Sequence, residues 1–191
     1  EVGMDKKGEI DFLSKIIKPN VSVITNINYA HAKNFKNIKS IALAKSEIIQ
    51  NTKSNGYIVL NADDSFFKLH RTIALKKNLK VISFSIKNKK SNILFKNIIK
   101  KGKYFSINIE YNNLKKNFLI KNNFQSNIYN VLGALAVMSI YLNIFKLNKN
   151  IFLNFEIPKG RGDISRIKIM DKNINLIDES YNSNPLSLQS A

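Results

Sequence analysis

The amino-acid sequence predicts an α/β fold: a mostly parallel sheet flanked by helices, with a small antiparallel β-sheet attached. Three features carry that expectation. In the first half of the chain, short apolar runs bounded by turn residues alternate with amphipathic stretches, which is the pattern of a parallel sheet covered by helices. Between about Ser91 and Lys121 the period changes to that of strands joined by short polar turns. From Ser126 a long apolar stretch follows, and its helical spacing supplies a further covering layer.

Taken in order, Glu9 to Lys18 carries Ile10, Leu13, Ile16 and Ile17 on one side of a helix that stops before Pro19. Val21 to Thr25 (VSVIT) reads as a buried strand and leads into a polar loop from Asn26 to Lys39. A helix is expected from about Ser40 to Gln50, with Ile41, Ala44, Ile48 and Ile49 inward. Asn55-Gly56 turns the chain into a second strand, Tyr57 to Asn61. The acidic pair Asp63 and Asp64 should cap a helix running from about Asp64 to Lys77, because carboxylates suit the free N–H groups there, and Val81 to Ser85 gives a third strand. The runs ILFKNII, YFSINIEY and NFLI are the antiparallel strands, and Phe95, Tyr104, Phe105, Tyr111 and Phe118 are expected to pack in their core. Helices are expected from Ser126 to about Leu142 and over about Asn148 to Phe155. Pro158 to Gly162 reads as a loop, Ile167 to Asp178 as a hairpin or two strands, and a new helix should begin near Pro185.

Charge and composition narrow the function. Thirty-one basic residues against 13 acidic ones leave a net charge of +18, which raises the question of a nucleic-acid partner. The lysines, however, are spread along the whole length among Asn and Ile instead of collecting in one arm or helix face, so solvated surface is the expectation and no nucleic acid is expected. The absence of cysteine excludes disulfides and thiolate metal sites and fits a reducing cytoplasm. The longest apolar stretch, Val131 to Leu142, is too short and too interrupted to span a bilayer, and no export signal opens the chain.

Three groups in the first quarter of the chain suggest chemistry. Ligands of parallel sheets sit at the carboxyl ends of strands, so Glu1, read as a strand end, and the loop from Thr25 to His31 should open onto one crevice. A carboxylate suits Mg²⁺, which prefers hard oxygen donors and few protein ligands beside phosphate and water; histidine is a less usual ligand for it. Lys45 falls beside Ala44 and Ile48 on an apolar helix face, where a lysine stem ordinarily snorkels to water. Singly, each of the three has an ordinary structural reading, as does His70, expected at the surface of its helix.

Their setting within longer strings is more specific. EVGMDKKGEI at the start, ITNINYAH ending at His31, AKSEI around Lys45, the segment from Asn55 to Asp64, SNIYNVLGALA from Ser126, GRG at Gly160 to Gly162 and DESYNSNP from Asp178 resemble segments of the Mur ligases in the same order. The resemblance covers nearly the whole chain, and EVGM with GEI and SYNSNP is most similar to the branch that adds D-alanyl-D-alanine.

The resemblance implies a P-loop-type sheet, with residues 1–160 as a central ATP-binding domain and 161–191 as the start of a C-terminal ligase domain. It implies ATP and Mg²⁺ as cofactors, with Glu1, His31 and Lys45 at the metals and Lys45 carbamylated by CO₂. Asn130 matches a contact to adenine, Asn127 a residue that orients it, Arg161 a contact to the phosphates, and Asp178 and Glu179 the start of the domain that closes over the nucleotide. The implied reaction joins D-alanyl-D-alanine to UDP-N-acetylmuramoyl-tripeptide through an acyl phosphate, in a monomeric cytoplasmic enzyme. No G-x-x-x-x-G-K-[ST] string occurs in the chain, and in this family that loop precedes the glutamate matched by Glu1, so the 191-residue chain alone is expected to be inactive. Gln125 and Ser126 replace a usual Gly-His, and Glu179 a usual aspartate. A sister Mur ligase or a folylpolyglutamate-type synthetase is the nearest alternative, and a basic nucleic-acid-binding module the more distant one.

Overall fold

The computed structural model describes residues 1–29, 34–155, 158–160, 163–178 and 180–181. Parallel strands β1 (Val21–Ile24), β2 (Tyr57–Asn61) and β3 (Lys80–Ser85) lie side by side in that order, as the apolar runs required. Strand β4 (Ile93–Lys101) joins them by pairing Phe84 with Ile93 and Ser85 with Leu94 in parallel. A register shift between Phe95 and Asn97 then bends β4 away, and its remainder pairs antiparallel with β5 (Tyr104–Tyr111), which pairs with β6 (Leu114–Ile120). The antiparallel strands therefore continue the parallel sheet, giving six strands in the order β1-β2-β3-β4-β5-β6. The bulge at Phe95 is what lets one sheet hold both pairings.

Helices cover both faces. On one side lie α1 (Glu9–Ile17), α2 (Ile38–Lys45), α3 (Glu47–Asn51) and α4 (Phe67–Lys76), packed with Ile24, Ile58 and Leu60 into one buried cluster. On the other lies α5 (Gln125–Tyr141), which buries Val131, Leu132 and Leu135 against Val59, Phe84, Ile107 and Phe118. The alternation of Ile58, Val59 and Leu60 between the two clusters shows β2 buried on both faces, as a central parallel strand must be. Phe118 is fully buried, and Phe95, Phe105 and Tyr111 pack against the same cluster, the core role expected for these rings. Among the described residues no helix is long and apolar enough to cross a membrane.

Several local expectations differ from what forms. The helix expected from Ser40 to Gln50 is two helices that meet at Ser46, whose hydroxyl donates to the Leu43 carbonyl at 2.6 Å and bends the chain. The apolar side of α1 is narrower than its spacing suggested: Ile10 and Ser14 are buried, whereas Ile16 and Ile17 are exposed. Asp63 and Asp64 do not cap α4, which starts at Phe67 with no side-chain cap: Asp63 serves the loop after β3, and Asp64 closes a turn onto Phe66, just before the helix, while its other oxygen reaches the β1 loop. His70 is 2% exposed, not at the surface, and its Nε2–H donates to the Ala42 carbonyl at 3.0 Å across the α2–α4 contact. Residues 148–155 form successive turns instead of a helix, since Asn148 Oδ1 accepts from the Asn150 amide and draws the backbone into an Asx turn. Strands β7 (Asp163–Ile169) and β8 (Lys172–Asp178) form the expected hairpin, turning at Met170 and Asp171 with both φ angles positive. The helix expected near Pro185 lies outside the described residues.

The turn into β2 is the tightest point of this framework. A Cβ on Gly56 would stand 2.6 Å from the Asn20 carbonyl oxygen and 2.7 Å from that of Lys53, and Gly56 itself donates to Lys53. Gly56→Ala is accordingly expected to destabilise the fold by about 1–3 kcal/mol, as overpacking against rigid backbone does. The drop in urea midpoint measures it, and an unchanged midpoint would show that the turn relaxes freely.

Candidate functional site

Two clefts meet at the carboxyl end of β1, sharing Val23 and Thr25 in their walls. The larger, of about 620 Å³, is bounded by the segment Glu1 to Met4, by α1 and by α2, and Glu1 and Lys45 both line it. The smaller, of about 190 Å³, lies against α5 and is lined by Phe84, Tyr129, Asn130 and Gly133. A Cβ at Gly133 would be in ordinary contact with the Phe84 ring at 3.5 Å, so this wall is already closely packed.

Lys45 ends α2, and its Nζ donates to the Asn26 carbonyl at 2.9 Å. It does not snorkel freely to water: burial pulls its pKa below the ordinary amine value, and the negative charge of Asp64 opposes that shift without cancelling it. The backbone around it is held by two carboxylates. Asp64 Oδ2 accepts from the Ile27 amide at 2.7 Å and Oδ1 from the Phe66 amide at 2.8 Å, so the loop after β2 grips the loop after β1. Glu47 reaches back to the amino end of α1, accepting from Gly8 N at 3.0 Å and Asp11 N at 3.0 Å, where the helix dipole favours an anion. The AKSEI string therefore does two jobs across the Ser46 bend. Lys45 faces the β1 loop, and Glu47 fixes the helix that follows the Glu1 segment.

On the opposite face, Asn130 is exposed at the smaller cleft, while Asn127, one turn earlier, is buried with its side-chain amide 3.4 Å from the Asn122 carbonyl. Asp63 anchors this side. Its carboxylate accepts from Ser85 Oγ at 2.6 Å, Ile86 N at 2.7 Å and Tyr129 OH at 3.0 Å, with longer bonds from Lys87 N and Asn88 N. Burial raises the Asp63 pKa, but the donors of Ser85, Ile86, Tyr129 and Lys87 together outweigh it and hold the carboxyl below its ordinary 3.8. Tyr129 is pushed up to about 12, by burial first and then by its bond to the Asp63 anion.

Of the remaining residues marked by the sequence, Asp178 ends β8, where its Oδ1 accepts from Ser180 N at 2.9 Å; it lines neither cleft. His31, Arg161 and Glu179 lie outside the described residues. Among the described residues no three His, Asp or Glu side chains converge on a metal position. Sequence reasoning missed the bridging roles of Asp63, Asp64 and Glu47. The clue was two adjacent acids directly after a buried strand, more charge than a helix start needs.

Comparison with known proteins agrees with this geometry. The family model of the Mur ligase middle domain matches residues 1–138, and the chain belongs to that family. A UDP-N-acetylmuramoyl-tripeptide–D-alanyl-D-alanine ligase of Rickettsia prowazekii (strain Madrid E) is 28% identical over 100% of this chain and 42% of its own length. The chain thus spans about two fifths of that relative. A crystal structure of MurF from Acinetobacter baumannii superposes with a TM-score of 0.82 at 24% identity, over 98% of this chain and 40% of that one. MurF ligase from Thermotoga maritima in complex with ADP gives a TM-score of 0.80 at 20% identity, over 100% of this chain and 42% of its own.

The Asp63 hub has a measurable signature. Its pKa is depressed in the fold, so its contribution to stability is complete above the ordinary 3.8 and is lost as pH falls through the lower folded value. Asp63→Ala is expected to cost about 2–3 kcal/mol near neutral pH, because several donors lose one acceptor. Asp63→Asn should flatten the acid limb of the stability profile below the ordinary 3.8, measured by urea unfolding across pH. An acid limb identical to wild type would remove Asp63 from that role.

Proposed function

We propose that this chain is the nucleotide-binding middle of an ATP-dependent carbon–nitrogen ligase of peptidoglycan precursor synthesis. The whole enzyme joins D-alanyl-D-alanine to UDP-N-acetylmuramoyl-tripeptide and works as a monomer in the cytoplasm. The observation that carries this reading is Glu1 and Lys45 lining one cleft at the carboxyl end of β1, in a chain similar over its whole length to a ligase of that name.

The residues present fit a Mg²⁺–nucleotide complex. Glu1 offers a hard oxygen donor, and Lys45 becomes a second one if its amine is carbamylated. The half-buried amine is suited to that change: burial shifts it toward the neutral form, and the product anion would remove a cation from a metal site. His31 would complete the set, and Arg161 would meet the phosphates with its planar fork. Bound Mg²⁺ supplies charge neutralisation on the transferring phosphoryl group.

On the other face Asn130 would meet the adenine, with Asn127 holding the start of α5 in place through Asn122. Asp178 and Glu179 would begin the domain that closes over the nucleotide. The substrate carboxylate would attack the γ-phosphate to give an acyl phosphate, and the amine of D-alanyl-D-alanine would then displace phosphate. Within this chain the contribution is positioning and electrostatics.

In the intact ligase, Lys45→Ala is expected to lower kcat by about 100-fold or more, the usual scale for losing one electrostatic stabiliser of a transition state. Acetate or formate should restore part of the rate, measured as phosphate release. An unchanged rate would remove Lys45 from the mechanism. Turnover with a different amino acid, and none with D-alanyl-D-alanine, would assign the protein to a sister ligase.

A further inference from the structure

The Ile27 amide poses a problem that the fold solves in a particular way. Ile27 is 8% exposed and sits in the loop after β1, outside any strand, so its N–H has no ladder partner and must find an acceptor. Asp64 Oδ2 provides it at 2.7 Å, while Oδ1 is fixed by the Phe66 amide, which leaves the carboxylate little freedom to turn. The peptide unit that carries this N–H also carries the Asn26 carbonyl, the acceptor for Lys45 Nζ at 2.9 Å. The amide plane is rigid, so holding its N–H sets the direction of its C=O.

We propose that Asp64 is a positioning residue for the Lys45 centre, orienting Nζ through the single peptide unit that joins Asn26 to Ile27. The proposal rests on the reading of Lys45 given above. In carbamylation the Nζ lone pair attacks the carbon of CO₂, a C–O π pair moves onto oxygen, and a proton leaves to water. Nζ keeps one N–H. That hydrogen still has the Asn26 carbonyl as its acceptor, so the same bond that orients the amine orients the carbamate and turns its oxygens away from the β1 loop. Asp64 touches no reacting atom in this scheme; its positioning effect passes through backbone, beside the through-space action of its charge on Nζ.

Two substitutions in the intact ligase separate position from charge. Asp64→Asn keeps one acceptor oxygen of the same reach, for the Ile27 amide, and removes both the charge and the second acceptor; Asp64→Glu keeps the charge and displaces the acceptor. Amide exchange of Ile27 and the carbamate resonance after incubation with ¹³C-bicarbonate are measured in both, with thermal melting to confirm that they fold. In Asp64→Glu, Ile27 exchange should rise about tenfold, the scale of one lost charge-assisted hydrogen bond, and the carbamate signal should fall severalfold. Asp64→Asn, whose single amide oxygen can serve the Ile27 amide but not the Phe66 amide as well, should lose clearly less than Asp64→Glu in both. Wild-type exchange and signal in Asp64→Glu would overturn the proposal, and so would equal losses in the two variants. A wild-type ligase without any carbamate resonance would instead sink the reading of Lys45, an outcome distinct from a full-height resonance that persists in Asp64→Glu.

Discussion

Two adjacent carboxylates at the end of β2 hold this domain's working edge together. β2 is buried on both faces, so the loops leaving its carboxyl end and those of its neighbours crowd into one region whose amides have no ladder to join. Asp64 takes the Ile27 amide on the β1 side, and Asp63 takes Ile86, Ser85 and Tyr129 on the β3 and α5 side. An isolated charge so placed would be costly, but each of these acids accepts several donors, and among the described residues no buried side-chain nitrogen or oxygen lacks a partner.

From those anchors the two clefts acquire different characters. The one holding Glu1 and Lys45 is charged and bounded by α1 and α2; the one beside Asn130 is lined by the Phe84 ring, Gly133 and β1. In the proposed reading a polyphosphate would suit the first and a flat base the second.

Much of this was legible beforehand. β2 matches its expected residues because an apolar run flanked by Asn55-Gly56 and by acids leaves little choice, and α5 follows from an apolar stretch too long for a strand. That Glu1 and Lys45 line one cleft lay outside the residue pattern, which reads Lys45 as a snorkelling lysine and Glu1 as a strand end, whereas residues 1–4 form no strand; only the resemblance in motif order linked the two. What escaped was set by specific hydrogen bonds and register shifts that periodicity does not report. The bend at Ser46 depends on a hydroxyl choosing the Leu43 carbonyl, and the burial of His70 depends on the Ala42 carbonyl, a partner 28 residues away. The bulge at Phe95 merges two sheets that periodicity alone reads as separate. Apolar spacing in α1 overstated its buried face, since periodicity reports a stripe and not what covers it.

The Ser46 bend has a mechanical corollary. Glu47 is bonded to the amino end of α1 and Lys45 to the β1 loop, so the backbone leading from Glu1 and the lysine share one short chain of rigid links confined to a single layer. Asn130 rides on the opposite layer, tied through Tyr129 to Asp63, the neighbour of the Asp64 that holds the β1 loop. The two clefts are thus joined through neighbouring residues of one loop, so a change at either acid reaches both layers of the sheet.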